Sequence, residues 1–218
     1  MHGGVKDENT IDFSISVNTF VPDFIKAGFG NVLKYETRYT YVEWIEKDFK
    51  NLFGEDCTIV AGATEALQII GWTIMKDACV LIPLPNYTEY EKIAKFSSSY
   101  VKTVRILEDG RLNMDCLLQS VEKELKKPEK IVIVLGNPNN PTGIYQDLNG
   151  FLKDLQYYSE KITVIVDEAF VDFVPNEFLR HIDLDIFENV IILRTFTKIL
   201  GIPGVRIGYV KTRKYKNL

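Results

Sequence analysis

Lys198 lies in the run Thr195-Phe196-Thr197-Lys198-Ile199-Leu200-Gly201-Ile202-Pro203-Gly204-Val205-Arg206-Ile207-Gly208-Tyr209, and Asp167 stands 31 residues upstream, at the end of the apolar run 162–166. An amine between two threonines and a glycine-rich turn, with a guanidinium eight positions on, can act as a nucleophile beside an anion site. Cationic neighbours and partial burial lower a lysine pKa and free the amine for chemistry. A carboxylate at the mouth of a buried strand needs a cation to stay ionised. One ligand satisfies all three features: pyridoxal 5'-phosphate brings an aldehyde for Lys198, a dianionic phosphate for Arg206 and the hydroxyls, and a pyridinium nitrogen for Asp167. The competing readings are a solvated surface lysine and an aspartate that merely caps a helix.

These residues need a scaffold that gathers strand ends. From about residue 40 onwards, short β-rich apolar runs alternate with helical patterns. That alternation predicts an α/β fold of three layers, α/β/α, with a mostly parallel sheet. Strands are expected over 58–61, 79–82 (closed by Pro83 and Pro85), 100–106, 131–135, 162–166, 190–193 and 207–210. Helices are expected over 40–53, where Val42, Ile45, Phe49 and Leu52 recur at helical spacing before Gly54, and from 62 onwards, through Leu67, Ile70 and Ile74. Three more are expected over 87–96, around Leu117, Val121 and Leu125, and along the stripe Leu148, Phe151, Leu152 and Leu155. Only eight residues follow the last strand, with no helical pattern left to cover it.

Open α/β sheets bind ligands beyond the carboxyl ends of their strands, so the residues just after each apolar run are the next candidates. Gly62-Ala63-Thr64 opens a helix whose free N–H groups and positive dipole end suit a phosphate; a plain helix cap is the alternative. Gly136-Asn137-Pro138-Asn139-Asn140-Pro141-Thr142-Gly143 is a rigid turn, and rigidity makes sense if Asn140 must be aimed at a cofactor oxygen; a structural turn alone is the other reading. Asp167-Glu168-Ala169 is the third.

Composition narrows the function classes. A net charge of −4 speaks against a nucleic-acid binder, and the one basic cluster, 211–216, reads as a solvated tail. Three cysteines without C-x-x-C spacing and two distant histidines fall short of the ligand sets that zinc requires, so no metal is expected. Cys57 and Cys79 lie in apolar runs and are expected as buried strand residues. The odd cysteine count and the lack of a secretory signal fit a reducing cytoplasm. No apolar stretch reaches the ~20 residues of a membrane span, and neither G-x-G-x-x-G nor a P-loop pattern occurs.

Together these motifs resemble the class I/II aminotransferase superfamily of pyridoxal-phosphate enzymes. The likeness is strongest to the branch with histidinol-phosphate aminotransferase and L-threonine-O-3-phosphate decarboxylase. It rests on Asn137-Pro138-Asn139-Asn140-Pro141-Thr142-Gly143, on Asp167-Glu168-Ala169, and on Thr195-Phe196-Thr197-Lys198 with Arg206. The resemblance implies that Lys198 carries the cofactor as a Schiff base, that Asp167 partners the ring nitrogen and that Asn140 donates to the ring hydroxyl. It also implies that Thr195, Thr197 and Arg206, joined by Ala63 and Thr64, hold the phosphate, and that Tyr87 stacks on the ring. Tyr35 is similar to the tyrosine that reaches a neighbouring subunit's phosphate, which implies a homodimer with shared active sites.

The implied organisation is an N-terminal arm and segment over 1–40 and a large cofactor-binding domain over 41–218, without the small C-terminal domain. Family members run on into that domain, which brings an arginine for the substrate carboxylate. The chain is therefore expected to be a fragment or a truncated product, able to bind cofactor but with turnover in question. The implied activity is transamination between an amino acid and a 2-oxo acid, with decarboxylation of a phosphorylated amino acid and non-catalytic cofactor binding as alternatives. His2-Gly3-Gly4 with Asp12-Phe13-Ser14, and Phe170-Val171-Asp172-Phe173 with Ile202-Pro203-Gly204, resemble the decarboxylase side. Val17-Asn18-Thr19-Phe20 and Tyr35-Glu36-Thr37 depart from that enzyme's pattern, and Phe170 stands where many aminotransferases have a tyrosine bonded to the ring oxygen.

Overall fold

The computed structural model describes residues 4, 9–30, 43–97, 100–105, 107–108, 111–127 and 129–215. Seven strands form one sheet in the order β1-β9-β8-β7-β6-β2-β3. They are β1 (Cys57–Val60), β2 (Ala78–Leu84), β3 (Tyr100–Arg105), β6 (Lys130–Gly136), β7 (Ile162–Asp167), β8 (Val190–Thr195) and β9 (Gly208–Lys211). A short hairpin, β4 (Leu107–Glu108) with β5 (Arg111–Leu112), stands apart from it. Five strands pair in parallel, β3-β2-β6-β7-β8, and β9 runs antiparallel to both β8 and β1.

The central strands are mostly apolar because both of their faces are covered. On β6, Ile131, Ile133 and Leu135 enter one core cluster and Val132 and Val134 the other. Helices α5 (Met114–Glu124) and α6 (Asn149–Leu155) close the first face, through Leu117, Val121, Phe151, Leu152 and Leu155. Helices α3 (Ala63–Thr73) and α4 (Thr88–Phe96) close the second, through Leu67, Ile70, Tyr90 and Ile93. The result is the three-layer α/β/α arrangement expected from the sequence.

Some boundaries differ from expectation, with physical causes. Strand β2 runs through Pro83 to Leu84, because beyond Leu81 it has only β3 as a neighbour and a missing N–H is tolerated there. Cys57 joins β1 and is buried, as is Cys79 on β2. The helix expected over 40–53 is seen as α2 (Glu43–Phe53), with residues 40–42 outside the described set. A further helix, α1 (Asp23–Phe29), follows the N-terminal segment. Among the described residues no helix is long and apolar enough to cross a membrane, and no three His, Cys, Asp or Glu side chains gather as a metal site.

Candidate functional site

The parallel register brings the carboxyl ends of three strands to one level, since Gly136 of β6 pairs with Asp167 of β7, and Asp167 with Leu193 of β8. Asp167 is the last residue of β7 and is buried. Its Oδ2 accepts a hydrogen bond from the Tyr90 hydroxyl (2.9 Å) and its Oδ1 accepts one from the Ala169 N–H (3.0 Å). Burial pushes its pKa above the usual carboxylate value; the two hydrogen bonds and the charge of Lys198 oppose that rise without cancelling it.

Lys198 comes from the next strand. β8 ends at Thr195, which starts the single turn α7 (Phe196–Ile199), and the Thr195 hydroxyl accepts from the Thr197 N–H (3.2 Å). The same hydroxyl donates to the Ile207 carbonyl (2.9 Å), so in the 2.9 Å pair with Thr195 Oγ1 it is the Thr197 hydroxyl that donates. Lys198 is half-buried, and burial first, Arg206 second, push its pKa below the ordinary lysine value, with Asp167 acting the other way. Its Nζ lies 5.7 Å from the centre of the Phe170 ring.

A strap from the N-terminal segment fixes this turn from outside. The Asn18 backbone N–H donates to the Lys198 carbonyl (2.8 Å) and Asn18 Nδ2 to the Ile199 carbonyl (2.8 Å). Gly201, at φ +65, passes so close that a Cβ would sit 2.5 Å from the Asn18 carbonyl oxygen.

The anion cup forms where α3 begins. Its first two amides, Ala63 and Thr64, precede the helical hydrogen-bond ladder and lie at the positive end of the dipole. Gly62, at φ +80, lets the Arg206 guanidinium lie against that end, and a Cβ on Gly62 would stand 2.8 Å from Arg206 Nη2. Arg206 itself has φ +54 and anchors through Nη1 to the Pro203 carbonyl (3.0 Å). Gly62→Ala is expected to displace the guanidinium and to strain a backbone at φ +80, ψ 162, a region that is essentially glycine-only, by about 1–3 kcal/mol. Affinity for inorganic phosphate should fall roughly tenfold, the worth of one bond to a charged group. Calorimetric titration of phosphate, with a melting curve beside it, reads both effects.

The asparagine loop divides its work. Asn137 Nδ2 donates to the Gln146 carbonyl (2.8 Å) while its Oδ1 accepts from the Gln146 N–H (2.9 Å); Asn139 Nδ2 donates to the Pro85 carbonyl (3.2 Å) and Thr142 Oγ1 (3.1 Å). Asn140 bonds to none of the described residues and faces the cavity. Tyr87, at the start of α4, is half-buried beside it and meets the Tyr90 ring edge to face, with centroids 5.6 Å apart.

A cavity of about 950 Å³ is lined by Ala63, Thr64, Tyr87, Asn140, Asp167, Phe170, Thr195, Thr197, Lys198 and Arg206. Every candidate from the sequence is there except Tyr35, which lies outside the described residues. Sequence reasoning missed Tyr90, the strap residue Asn18, and Ser16 and Val17, which also line the cavity. A buried tyrosine needs a partner for its hydroxyl, but the helical spacing of Tyr90 reads as core packing and does not show which partner, and nothing in the sequence pattern marked the strap.

The family model for aminotransferase class I and II matches residues 28–214. A histidinol-phosphate aminotransferase of Listeria welshimeri is 30% identical over 164 residues, which are 74% of this chain and 44% of that protein. An adenosylcobalamin biosynthesis bifunctional protein CobDQ of Leptospira interrogans is 30% identical over 217 residues, 94% of this chain and 24% of that protein. Among solved structures, histidinol-phosphate aminotransferase from Sinorhizobium meliloti in complex with pyridoxal-5'-phosphate superposes with a TM-score of 0.74 at 23% identity, covering 90% of this chain and 55% of its own. The chain thus spans less than half the length of these curated relatives.

Proposed function

Because the chain belongs to the class I and II aminotransferase family, we propose that its cavity holds pyridoxal 5'-phosphate and that the protein moves an amino group between an amino acid of the histidinol-phosphate type and a 2-oxo acid. One juxtaposition carries the reading. An amine held below its ordinary pKa, a buried carboxylate held above its own, and a helix-end cup with a guanidinium surround a single cavity.

The donor set fits the cofactor. A buried carboxylate is relieved by a protonated ring nitrogen, a dianion is relieved by the Gly62 cup, and the free Asn140 amide meets a ring hydroxyl. When bound, the cofactor supplies an aldehyde carbon and a ring that accepts electrons from a substrate Cα. Lys198 would hold the cofactor through its amine, and the same amine, when free, would be the base placed to move a proton at Cα. Asp167 keeps the ring nitrogen protonated, and Tyr87 covers one ring face. Arg206, the Ala63 and Thr64 amides and Thr197, oriented by Thr195, hold the phosphate. On the same reading residues 41–218 form the cofactor-binding large domain, and 1–40 an arm. Tyr35 then reaches the phosphate of a second subunit in a cytoplasmic homodimer.

Decarboxylation of a phosphorylated amino acid is the second reading, favoured by the match along 94% of the chain to a cobalamin-biosynthesis protein. Reduction of the reconstituted protein with borohydride, followed by peptide mapping, should place a pyridoxyl group on Lys198; a map with that lysine unmodified would refute the cofactor reading. Assays with 2-oxoglutarate and for released carbon dioxide, run on the full-length protein, separate the two reactions.

Phe170 offers a finer test. It leaves the ring oxygen without the hydroxyl that a tyrosine would give, so Phe170→Tyr should stabilise the ring phenolate and lower the pH at which the bound cofactor's absorbance changes. A spectral titration of both proteins measures it, and superimposable curves would contradict the placement of Phe170 at the ring oxygen.

A further inference from the structure

Asp167 and the phenol that bonds it come from different elements, and α4 delivers two aromatic groups to the site from one turn. Tyr87 opens α4 with its ring on the cavity, and Tyr90, three residues on, packs in the core with Ile93 and Ala94 while its hydroxyl end reaches the same cavity. Tyr90 is 2% exposed, and its hydroxyl donates to Asp167 Oδ2 at 2.9 Å. Space for that hydroxyl is made by Gly136, where a Cβ would come 3.2 Å from Tyr90 Oη and 3.3 Å from the Pro138 carbonyl. The two rings meet edge to face, so the wall of the cavity and its floor are mechanically joined.

We propose that Tyr90 is a positioning residue: its hydroxyl fixes Asp167 Oδ2, so that the carboxylate keeps both its charge and its aim at the cofactor's ring nitrogen. The inference rests on the cofactor reading above. A buried carboxylate with one oxygen on the Ala169 N–H and the other on a phenol cannot rotate without breaking both bonds. The phenol is also a constant donor, because burial and the neighbouring charge of Asp167 push its pKa well above the usual tyrosine value. A tyrosine that only filled the core would be replaced by phenylalanine without effect on the carboxylate. A positioning tyrosine would not.

The test uses Tyr90→Phe, which keeps the ring, and Gly136→Ala, which keeps the phenol but crowds it. Carbon-13 NMR of the Asp167 carboxyl in the cofactor-free protein should show its titration midpoint displaced upward in both variants. Fluorescence titration with pyridoxal 5'-phosphate should show binding weakened roughly tenfold or more in Tyr90→Phe, the worth of a hydrogen bond to a charged group. The acid limb of that binding should move up in pH with the carboxyl midpoint. Far-ultraviolet circular dichroism and melting curves establish that each variant is folded, and if Tyr90→Phe is not, Gly136→Ala decides. A folded variant with the wild-type midpoint and affinity overturns the proposal alone. A wild-type protein that binds no pyridoxal 5'-phosphate overturns the cofactor reading and the proposal with it, while the NMR arm still reports whether Tyr90 governs Asp167.

Discussion

Lys198→Ala is expected to leave the protein folded and to lower turnover of the full-length enzyme by at least about 10⁴-fold. On the proposed function two roles vanish with the one amine, the covalent hold on the cofactor and the transfer of the Cα proton, and general acid–base catalysis alone contributes about 10²–10⁴. Stability should not fall. Burial and the Arg206 charge hold the Lys198 pKa below the ordinary value, which means that the folded state disfavours the ammonium form that dominates in the unfolded chain. Removing it relieves that cost, so the cofactor-free variant should melt no lower than the wild type at neutral pH. Lys198→Arg separates charge from chemistry, since it keeps a cation beside Asp167 but offers no amine that can be freed. Both substitutions should abolish the borohydride-trapped product. A variant that loses turnover only because it is unfolded would instead melt early, and a variant that retained turnover would remove Lys198 from the reaction.

The parts of this site that were legible in the sequence share a physical origin. Strands β6, β7 and β8 are buried on both faces, so each is a continuous apolar run, and the residue type changes abruptly where each run ends. Asn140, Asp167, Thr195 and Lys198 stand at or just beyond those ends, which is where a parallel sheet presents ligands. The direction of β9 was not legible, because four residues paired on both sides carry no mark of parallel or antiparallel pairing. Tyr90 was hidden for another reason. On α4 it falls in the buried stripe with Ile93 and Ala94, so its helical spacing reads as core packing and gives no hint of what its hydroxyl touches. Asn18 lies in a segment without periodicity, and its contacts with Lys198 and Ile199 cross about 180 residues of chain.

Asp167→Asn should move stability and function in opposite directions. The carboxylate is buried and its folded pKa is raised, chiefly by desolvation, so its ionisation costs the cofactor-free fold something at neutral pH. The sign follows from linkage. A carboxyl with a raised folded pKa adds stability that is fully present below its unfolded value of 3.8 and is lost as pH rises through the folded value. At neutral pH the cofactor-free Asn variant should therefore melt above the wild type, and that advantage should shrink as the pH is lowered into the carboxylate range. The loaded protein should behave the other way. Unit charges ~4 Å apart at an effective dielectric near 20 attract by about 4 kcal/mol, so losing the anion beneath a pyridinium should weaken its protonation by roughly 10³-fold. The amide has one oxygen for two donors, the Tyr90 hydroxyl and the Ala169 N–H, so it gives up one of those bonds and presents no anion to the ring nitrogen. Added pyridoxal 5'-phosphate should then raise the melting temperature less than it does in the wild type, and turnover should fall with the ring's capacity to accept electrons. Melting curves with and without cofactor, at neutral and acid pH, contain all four comparisons. If the cofactor stabilised the Asn variant as much as the wild type, the ring nitrogen would have to be held by some other group, and the assignment of Asp167 would be wrong.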